Sequence, residues 1–484
     1  MPRPRRPRRP HRRRAPTPVK EPCVEGGRFR GESTIVAPAT PPGAGAVSIL
    51  RLSGPDAFPL ARRLTGVDPA AHPPRTLSRC GIRNASGAEI DSGLAVFFPE
   101  PHSFTGEDVV EIHLHGNPIL VEEVAAAACA LGAVPAAPGE FSRRAFFNGK
   151  MDLTQAEGLC DLIAARTAAS ARAALRQLNG GIRAAISPLR ERIRNLLVLL
   201  EASIDFPEEE GIAPISAVEL IERVSEINGS LSRFLESYER GHLLRDGATV
   251  AIAGVANVGK SRLLNRLLGE ERAIVTETPG TTRDYLSGEL VLSGIPVRLV
   301  DTAGLRETED PVEREGVARS RRIVAEADLT LFLLDGSRAA HDGDRRAYDE
   351  IASRPHLLLL NKCDLPPSEN GGDFHGEGKR KTFPVSAKTG EGTDALLREM
   401  ARELAPEGGA TLSEAPMTRL RHAAAVRRAV EALSRASRSA GEGMSLEFPA
   451  ADVREAADAL SELTGEIAPE EVLDAIFSSF CIGK

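Results

Sequence analysis

The spacing of apolar positions changes character three times along the chain. From Ser33 to about Lys150, short β-like runs (Thr34–Ala37, Ala46–Leu52, Val109–Leu114) are divided by Gly/Pro turns such as Pro41-Pro42-Gly43. That texture predicts a compact α+β domain. After Met151 the stretches lengthen, and Ile193, Leu196, Leu197 and Leu200 form the i, i+3, i+4, i+7 stripe of an amphipathic helix. Asn179-Gly180-Gly181 and Pro188 are the expected joints between helices. From Gly247 to about Leu404, apolar strands alternate with helical segments, which predicts a parallel sheet with crossover helices. Helical texture then resumes. Asp452 is the expected cap of a helix carrying Val453, Ala456, Leu460 and Leu463 and ended by Gly465. An α/β unit with helices on both sides reads as an insertion into one helical domain. The divisions are thus 1–32, 33–150, 151–246, 247–405 and 406–484, in a multidomain chain of α/β and α parts.

Composition narrows the class. A length of 484 residues suits about three domains, and 42 % apolar with 27 % charged residues is the range of globular rather than disordered chains. The richest apolar stretch, Val124 to Ala137, is interrupted by Cys129, Gly132 and Pro135, so no membrane span is expected. Six cysteines, at 23, 80, 129, 160, 363 and 481, include no CxxC pair, which argues against a secreted scaffold or zinc ribbon and favours the cytoplasm. Residues 1–20 hold nine of the 61 basic residues and none of the 68 acidic ones, so the remainder carries 52 against 68, a net of −16. An acidic body needs a local basic patch or a basic partner subunit to hold nucleic acid. The Pro-rich basic tail is expected to be an unstructured, dispensable extension, with a nucleic-acid arm or organelle address as alternatives.

Candidate chemistry begins at Gly254-Val-Ala-Asn-Val-Gly259-Lys260-Ser261, which follows the apolar strand Thr249–Ala253 and precedes the helix-like Arg262–Leu268. This is the context a P-loop requires. Its backbone N–H groups turn around phosphate oxygens, Lys260 meets the β- and γ-phosphates, and the Ser261 hydroxyl ligates Mg²⁺. Asp301-Thr302-Ala303-Gly304 ends the strand Val297–Val300, where the acid reaches Mg²⁺ and a glycine amide senses the γ-phosphate. Asn361-Lys362-Cys363-Asp364 ends Leu357–Leu360. Asp364 can accept from the guanine N1–H and exocyclic amine, which adenine does not match, so GTP is selected over ATP. Ser386-Ala387-Lys388 completes the base loop after Phe383–Val385. In Gly280-Thr281-Thr282-Arg283-Asp284, Thr282 is the expected second Mg²⁺ ligand. Leu305 stands where many regulatory GTPases carry the water-orienting glutamine, so hydrolysis must draw on a partner's arginine or a bound cation. Asn257 either offers a carbonyl oxygen to a monovalent cation beside the phosphates or simply caps the turn.

With Ala39-Thr40-Pro41-Pro42-Gly43, Ser103-Phe-Thr-Gly-Glu-Asp108, Pro138-Gly-Glu-Phe141, the nucleotide-binding elements and the terminal Phe480-Cys481-Ile482-Gly483-Lys484, the chain from about Thr34 resembles the tRNA-modification GTPases MnmE (TrmE), of the TrmE-Era-EngA-like group. Ala256 departs from that family's usual P-loop proline and puts only loop rigidity in doubt. The resemblance implies an N-terminal α+β folate-binding-like domain that dimerises, a helical domain, and an inserted Ras-like G domain with a doubly wound sheet. It implies K⁺ held by Asn257 with Thr276, Thr278 and Thr281, GTP contacts extending over Val258, Arg262, Glu277, Pro279 and Gly280, and Glu313 positioning the hydrolytic water. A formyl-tetrahydrofolate-type donor would meet Arg51, Glu111, Lys150 and Lys484. Carboxylates of such a ligand suit the cations, and its pterin N–H donors suit Glu111. Cys481 is read either as a thiolate nucleophile or as a packed small apolar residue. His113 and His115, without a third ligand, are read as structural. The implied partners are a second copy, an MnmG (GidA)-like flavoprotein carrying FAD and NADH in a heterotetramer, and tRNA. The implied chemistry installs an aminomethyl or carboxymethylaminomethyl group on the wobble uridine. The rival reading is a ribosome-assembly GTPase acting as an RNA-binding switch, which leaves the N-terminal domain and the Cys-Ile-Gly-Lys end without a role.

Overall fold

A computed structural model describes residues 24–25, 28–29, 33–206, 215–269, 287–302, 321–366, 382–404 and 417–484. The chain divides into two compact units. Unit 1 comprises Met1–Met151 with Glu470–Lys484, and unit 2 comprises Asp152–Pro469. No helix among the described residues is long and apolar enough to cross a membrane.

In unit 1 the short strands β1 (Val24–Glu25) and β2 (Arg28–Phe29) pair with each other. They are followed by β3 (Ile35–Pro38), β4 (Gly45–Ser53), α1 (Ala57–Thr65), β5 (Ser78–Arg83), β6 (Glu89–Phe98), β7 (Val109–Gly116), α2 (Pro118–Ala130), β8 (Val134–Pro135) and α3 (Glu140–Phe147). Six strands form one sheet in the order β5-β6-β7-β4-β3-β8. Alternate residues of a strand face opposite sides. Val36, Leu50, Leu52, Val110, Ile112 and Leu114 therefore share one apolar side with residues of α1 and α2, while Ile35 and Ala37 pack with Phe141 of α3 on the other. Arg51, directly opposite Ala37 and Glu111 in register, belongs to this second side. The final helix, α13 (Glu470–Ser478), also belongs to unit 1 rather than with the helices that precede it in sequence. Its Asp474 pairs with Arg143 at 3.0 Å, and Phe477 lies 6.1 Å from the Phe146 ring.

Unit 2 contains α4 (Leu153–Ala164), α5 (Ala168–Leu178), α6 (Gly181–Asp205) and α7 (Ala217–Asp246) before the sheet, and α11 (Leu420–Gly441) and α12 (Glu447–Thr464) after it. Helices α6, α7, α11 and α12 pack in a ring around one apolar cluster that includes the Ile193, Leu196 and Leu200 stripe. Two expectations are corrected here. Pro188 is not a joint, since α6 runs through it from Gly181. An interior proline costs roughly 3 kcal/mol, but each buried Ile or Leu returns about 1.5–3 kcal/mol, and Ile182, Ile186, Ile193, Leu196 and Leu200 are all buried on that helix. Nor does Asp452 cap α12, which begins at Glu447 with Pro449 in its first turn, where proline is tolerated. Asp452 instead accepts from Arg435 Nε at 2.8 Å.

The inserted sheet comprises β9 (Ala248–Ala253), β10 (Ser287–Leu292), β11 (Ile295–Asp301), β12 (Leu329–Asp335), β13 (His356–Asn361) and β14 (Thr382–Pro384), ordered β10-β11-β9-β12-β13-β14. All neighbours are parallel except β10 and β11. Helices α8 (Lys260–Leu268), α9 (Asp342–Asp349) and α10 (Thr393–Leu404) belong to this part. The sheet is doubly wound, with its central strand β9 leading directly into the P-loop. In such sheets ligands gather beyond the carboxyl ends of the strands.

Candidate functional site

The loop after β9 is shaped by its glycines. Gly254 has φ 141° and a Cβ there would lie 2.6 Å from Leu333 O; Gly259 has φ 103° and its Cβ would lie 2.3 Å from Asn361 Nδ2. A side chain fits at neither, so the loop can run against the ends of β12 and β13 with its backbone open to a phosphate. Lys260, the first residue of α8, is buried and donates from Nζ to the carbonyls of Gly254 at 3.0 Å and Val255 at 2.9 Å. Burial holds its ammonium below the ordinary lysine value, against the attraction of Asp301. Ser261 Oγ donates to Asp301 Oδ2 at 2.5 Å. The other oxygen, Asp301 Oδ1, is buried and has no hydrogen-bond partner among the described residues. Burial raises this carboxyl, while the Ser261 bond and Lys260 oppose the shift. A hydroxyl beside a buried carboxylate with one oxygen to spare fits the hard oxygen ligation of Mg²⁺. Thr302 turns inward and donates to Ile252 O at 2.8 Å, which anchors Asp301.

At the other end of the cleft, buried Asn361 spends its amide inside the protein. Nδ2 donates to Val258 O at 2.7 Å, and Oδ1 accepts from Ala387 N at 2.9 Å. It thereby ties the phosphate loop to the base loop. Asp364 Oδ1 accepts from Ser386 Oγ at 2.7 Å, and Oδ2 stands 4.0 Å from Lys388 Nζ. The Ser386 bond is the first cause holding the Asp364 carboxyl below its ordinary value, so it is the ionised acceptor that guanine requires. Asn257, Gly259, Lys260, Ser261, Arg262, Asn361, Lys362, Asp364, Leu365, Ala387 and Lys388 line one cleft of about 580 Å³, within the range of nucleotide-sized sites. Asn257 stands at its exposed rim with φ 65°. Thr276, Glu277, Thr278, Pro279, Gly280, Thr281, Thr282, Ala303, Gly304, Leu305 and Glu313, which include the expected second Mg²⁺ ligand, the rest of the expected K⁺ set and the expected water-positioning acid, lie outside the described residues.

Unit 1 brings together three of its four expected ligand residues. Arg51 on β4 and Glu111 on β7 are cross-strand partners, with Arg51 Nε and Nη2 donating to Glu111 Oε1 at 3.0 and 2.7 Å. The guanidinium lies over the rings of Phe104 (5.5 Å) and Phe141 (5.7 Å). Both aromatics sit inside recognisable motifs, but no spacing rule pointed to this role. Lys484 joins the cluster: burial and then Arg51 lower its ammonium pKa, against Glu111 and Cys481. Gly483 makes this approach possible, with φ 96° and a virtual Cβ only 1.9 Å from Pro38 O. Lys150 Nζ instead donates to Pro101 O at 2.9 Å. Cys481 is exposed, which removes the packed apolar reading. His115 Nδ1 is 2.7 Å from Asp91 Oδ1 and His113 Nε2 is 3.8 Å from Glu111 Oε2, and no group of three metal-ligating side chains occurs among the described residues.

A cleft that cradles phosphates at one end, reads a base with an ionised carboxylate at the other and keeps oxygens for a divalent cation belongs to a P-loop GTPase. Residues 34–150 match the family described as GTP-binding protein TrmE N-terminus, and 153–481 match MnmE helical domain. The tRNA modification GTPase MnmE of Aquifex aeolicus (strain VF5) is 43 % identical over 453 residues, covering 93 % of this chain and 99 % of its own. That of Neisseria meningitidis serogroup C (strain 053442) is 42 % identical over 453 residues, again covering 93 % and 99 %. Among solved structures, a point variant of Aquifex aeolicus Era bound to GDP.AlF4- shares 29 % identity at a TM-score of 0.28, covering 38 % of this chain and 66 % of that one. The chain belongs to the family of tRNA modification GTPases MnmE.

Proposed function

We propose that this GTPase is K⁺-activated and modifies the 5-position of the wobble uridine of certain tRNAs, adding an aminomethyl or carboxymethylaminomethyl group. It acts as a homodimer with an MnmG (GidA)-like flavoprotein that carries FAD and NADH, and it takes its one-carbon unit from a formyl-tetrahydrofolate-type donor. The observation that carries this reading is the separate polar cluster of Arg51, Glu111 and Lys484 in unit 1, for which nucleotide hydrolysis alone has no use. Arg51 and Lys484 are suited to pair with ligand carboxylates, and Glu111 to accept pterin N–H bonds. In the nucleotide cleft, Lys260 and the loop amides bind the phosphates, Ser261 and Asp301 hold Mg²⁺, and Asp364 orients guanine. Asn257 contributes its carbonyl oxygen to K⁺. When bound, that ion supplies the positive charge that an arginine finger supplies in other GTPases.

GTP turnover in KCl against NaCl at equal ionic strength, with Asn257→Ala alongside, tests the cation. The expected outcome is a large K⁺ stimulation that the variant loses; equal rates in both salts would send the transition-state charge to another group. Nucleoside analysis of tRNA from a deletion strain tests the chemistry, because unchanged wobble uridine would favour the ribosome-assembly alternative.

A further inference from the structure

The lysine of the base loop has an unusual anchorage. Lys362 has φ 68°, a left-handed conformation uncommon outside glycine, and it lines the nucleotide cleft. Its ammonium is not directed at the cleft. Nζ donates to Asp335 Oδ2 at 2.6 Å, and Asp335, at the end of β12, is not among the residues that line the cleft. The ammonium is thus tied to Asp335 while the residue itself still lines the cleft.

Asp335 is itself closely held. Its other oxygen, Oδ1, accepts from Ser337 N at 3.1 Å and Ser337 Oγ at 2.6 Å, so the two oxygens divide the work between the turn and the lysine. Gly336 N donates to Asn361 O at 2.8 Å, which locks the end of β12 to the end of β13, where Asp335 and Asn361 are register partners. Arg338, 3.8 Å from Asp335, is committed to Asp344 by two hydrogen bonds of 2.8 and 3.2 Å and does not displace Lys362. The Asp335 side chain is only 11 % exposed, so the carboxylate end of the pair is sheltered, while the Lys362 side chain is 34 % exposed.

We propose that Asp335 is a positioning residue for purine binding. By neutralising and tethering the Lys362 ammonium, it lays the lysine stem along the cleft as an apolar wall for the face of the base, while Asp364 reads the base edge. This rests on the reading of 361–364 as the base loop. The two side chains have different duties. Losing the stem should weaken every purine nucleotide alike, whereas changing Asp364 alters the choice between bases.

The test is a double-mutant cycle on the full-length protein: Asp335→Asn, which is isosteric and keeps an oxygen for Ser337, Lys362→Ala, and both together, with Asp364→Asn as the reference. The readouts are affinities for GDP and IDP, steady-state GTP turnover and thermal midpoint. Asp335→Asn is expected to weaken GDP and IDP by the same factor, about tenfold. It should raise KM for GTP while kcat at saturation holds, and it should add little to Lys362→Ala. Wild-type affinity in Asp335→Asn, with Lys362→Ala weakened, would overturn the proposal and leave the base loop intact. Full additivity of the two losses would also overturn it, by separating Asp335 from Lys362. If neither Lys362→Ala nor Asp364→Asn changed purine binding, the base-loop reading would fall and the proposal with it. A lowered midpoint with unchanged affinities would assign Asp335 a purely structural duty and refute the proposal.

Discussion

Asp364 shows how one side chain's duty depends on its neighbours. Any aspartate at a strand end could be a solvated charge, but the Ser386 hydroxyl fixes one of its oxygens and favours the ionised form. Guanine offers two donors to that carboxylate; xanthine replaces one donor by a carbonyl and so matches an amide instead. Asp364→Asn should therefore shift preference from GTP towards xanthosine triphosphate, because the amide now matches the xanthine carbonyl and no longer accepts both guanine donors. Competition between the two nucleotides in a turnover assay would show it, and an unaltered GTP preference would count against the pocket. At the same scale, Gly483 explains why the terminal motif is spelt as it is. Its backbone passes so close to Pro38 O that no Cβ fits, and only this approach sets Lys484 beside Arg51 and Glu111.

Between elements, the most informative contact is a carboxylate on α4. Asp161 accepts from Arg245 Nε at 3.0 Å, one residue before the end of α7, and from Arg419 Nε and Nη2 at 3.0 and 2.6 Å, just ahead of α11. Those two arginines flank the points where the chain enters and leaves the inserted sheet. One side chain thus pins both crossings, and the nearby corner between α4 and α5 reaches the sheet as well. Arg166 pairs with Glu289 of β10 at 2.7 Å, and Thr167 Oγ1 donates to Gly294 O at 2.8 Å in the turn before β11, the strand that ends in Asp301. Asp161→Asn should loosen both crossings without touching the nucleotide cleft. Faster amide hydrogen exchange in the last turn of α7 and the first turn of α11 is the expected result; unchanged protection would mean that apolar packing, not the ion pairs, holds the crossings.

For the molecule as a whole, stability in acid should turn on Glu157. This α4 residue is 1 % exposed and is approached by His422 Nε2 at 2.6 Å and by Arg421 Nε and Nη2 at 3.0 and 2.7 Å. Burial alone would raise its carboxyl, but His422 and then Arg421 overcome that and hold it far below its ordinary 4.5. A depressed native value means that the unfolded chain binds more protons. The stabilisation is therefore complete above pH of about 4.5 and is lost progressively as the pH falls below it. Glu157→Gln should lower stability at neutral pH by about 3–5 kcal/mol, because Arg421 and Arg419 lose a shared buried carboxylate, and should flatten the pH dependence below about pH 4.5. Thermal unfolding from neutral to acid pH measures both effects. An unchanged acid slope would place the titrating group elsewhere.

What the sequence by itself determined was governed by local spacing. Strand-to-loop context located the phosphate loop, the strand end at Asp301 and the base loop to within a residue or two, because a glycine turn or a run of apolar residues announces itself in place. The alternating textures likewise announced a sheet inserted among helices. Local spacing failed at Pro188 and Asp452, where buried apolar faces and a distant arginine outweighed the residue's own preference. Tertiary structure alone decided the pairings across long separations. Phe104 and Phe141 against Arg51, Lys484 beside Glu111, the final helix joining the N-terminal unit, Asp335 holding Lys362, and Asp161 pinning both crossings all join residues far apart in the chain. No period in a sequence encodes such contacts. They arise only when apolar faces are buried together and the polar groups carried with them must find partners in low dielectric.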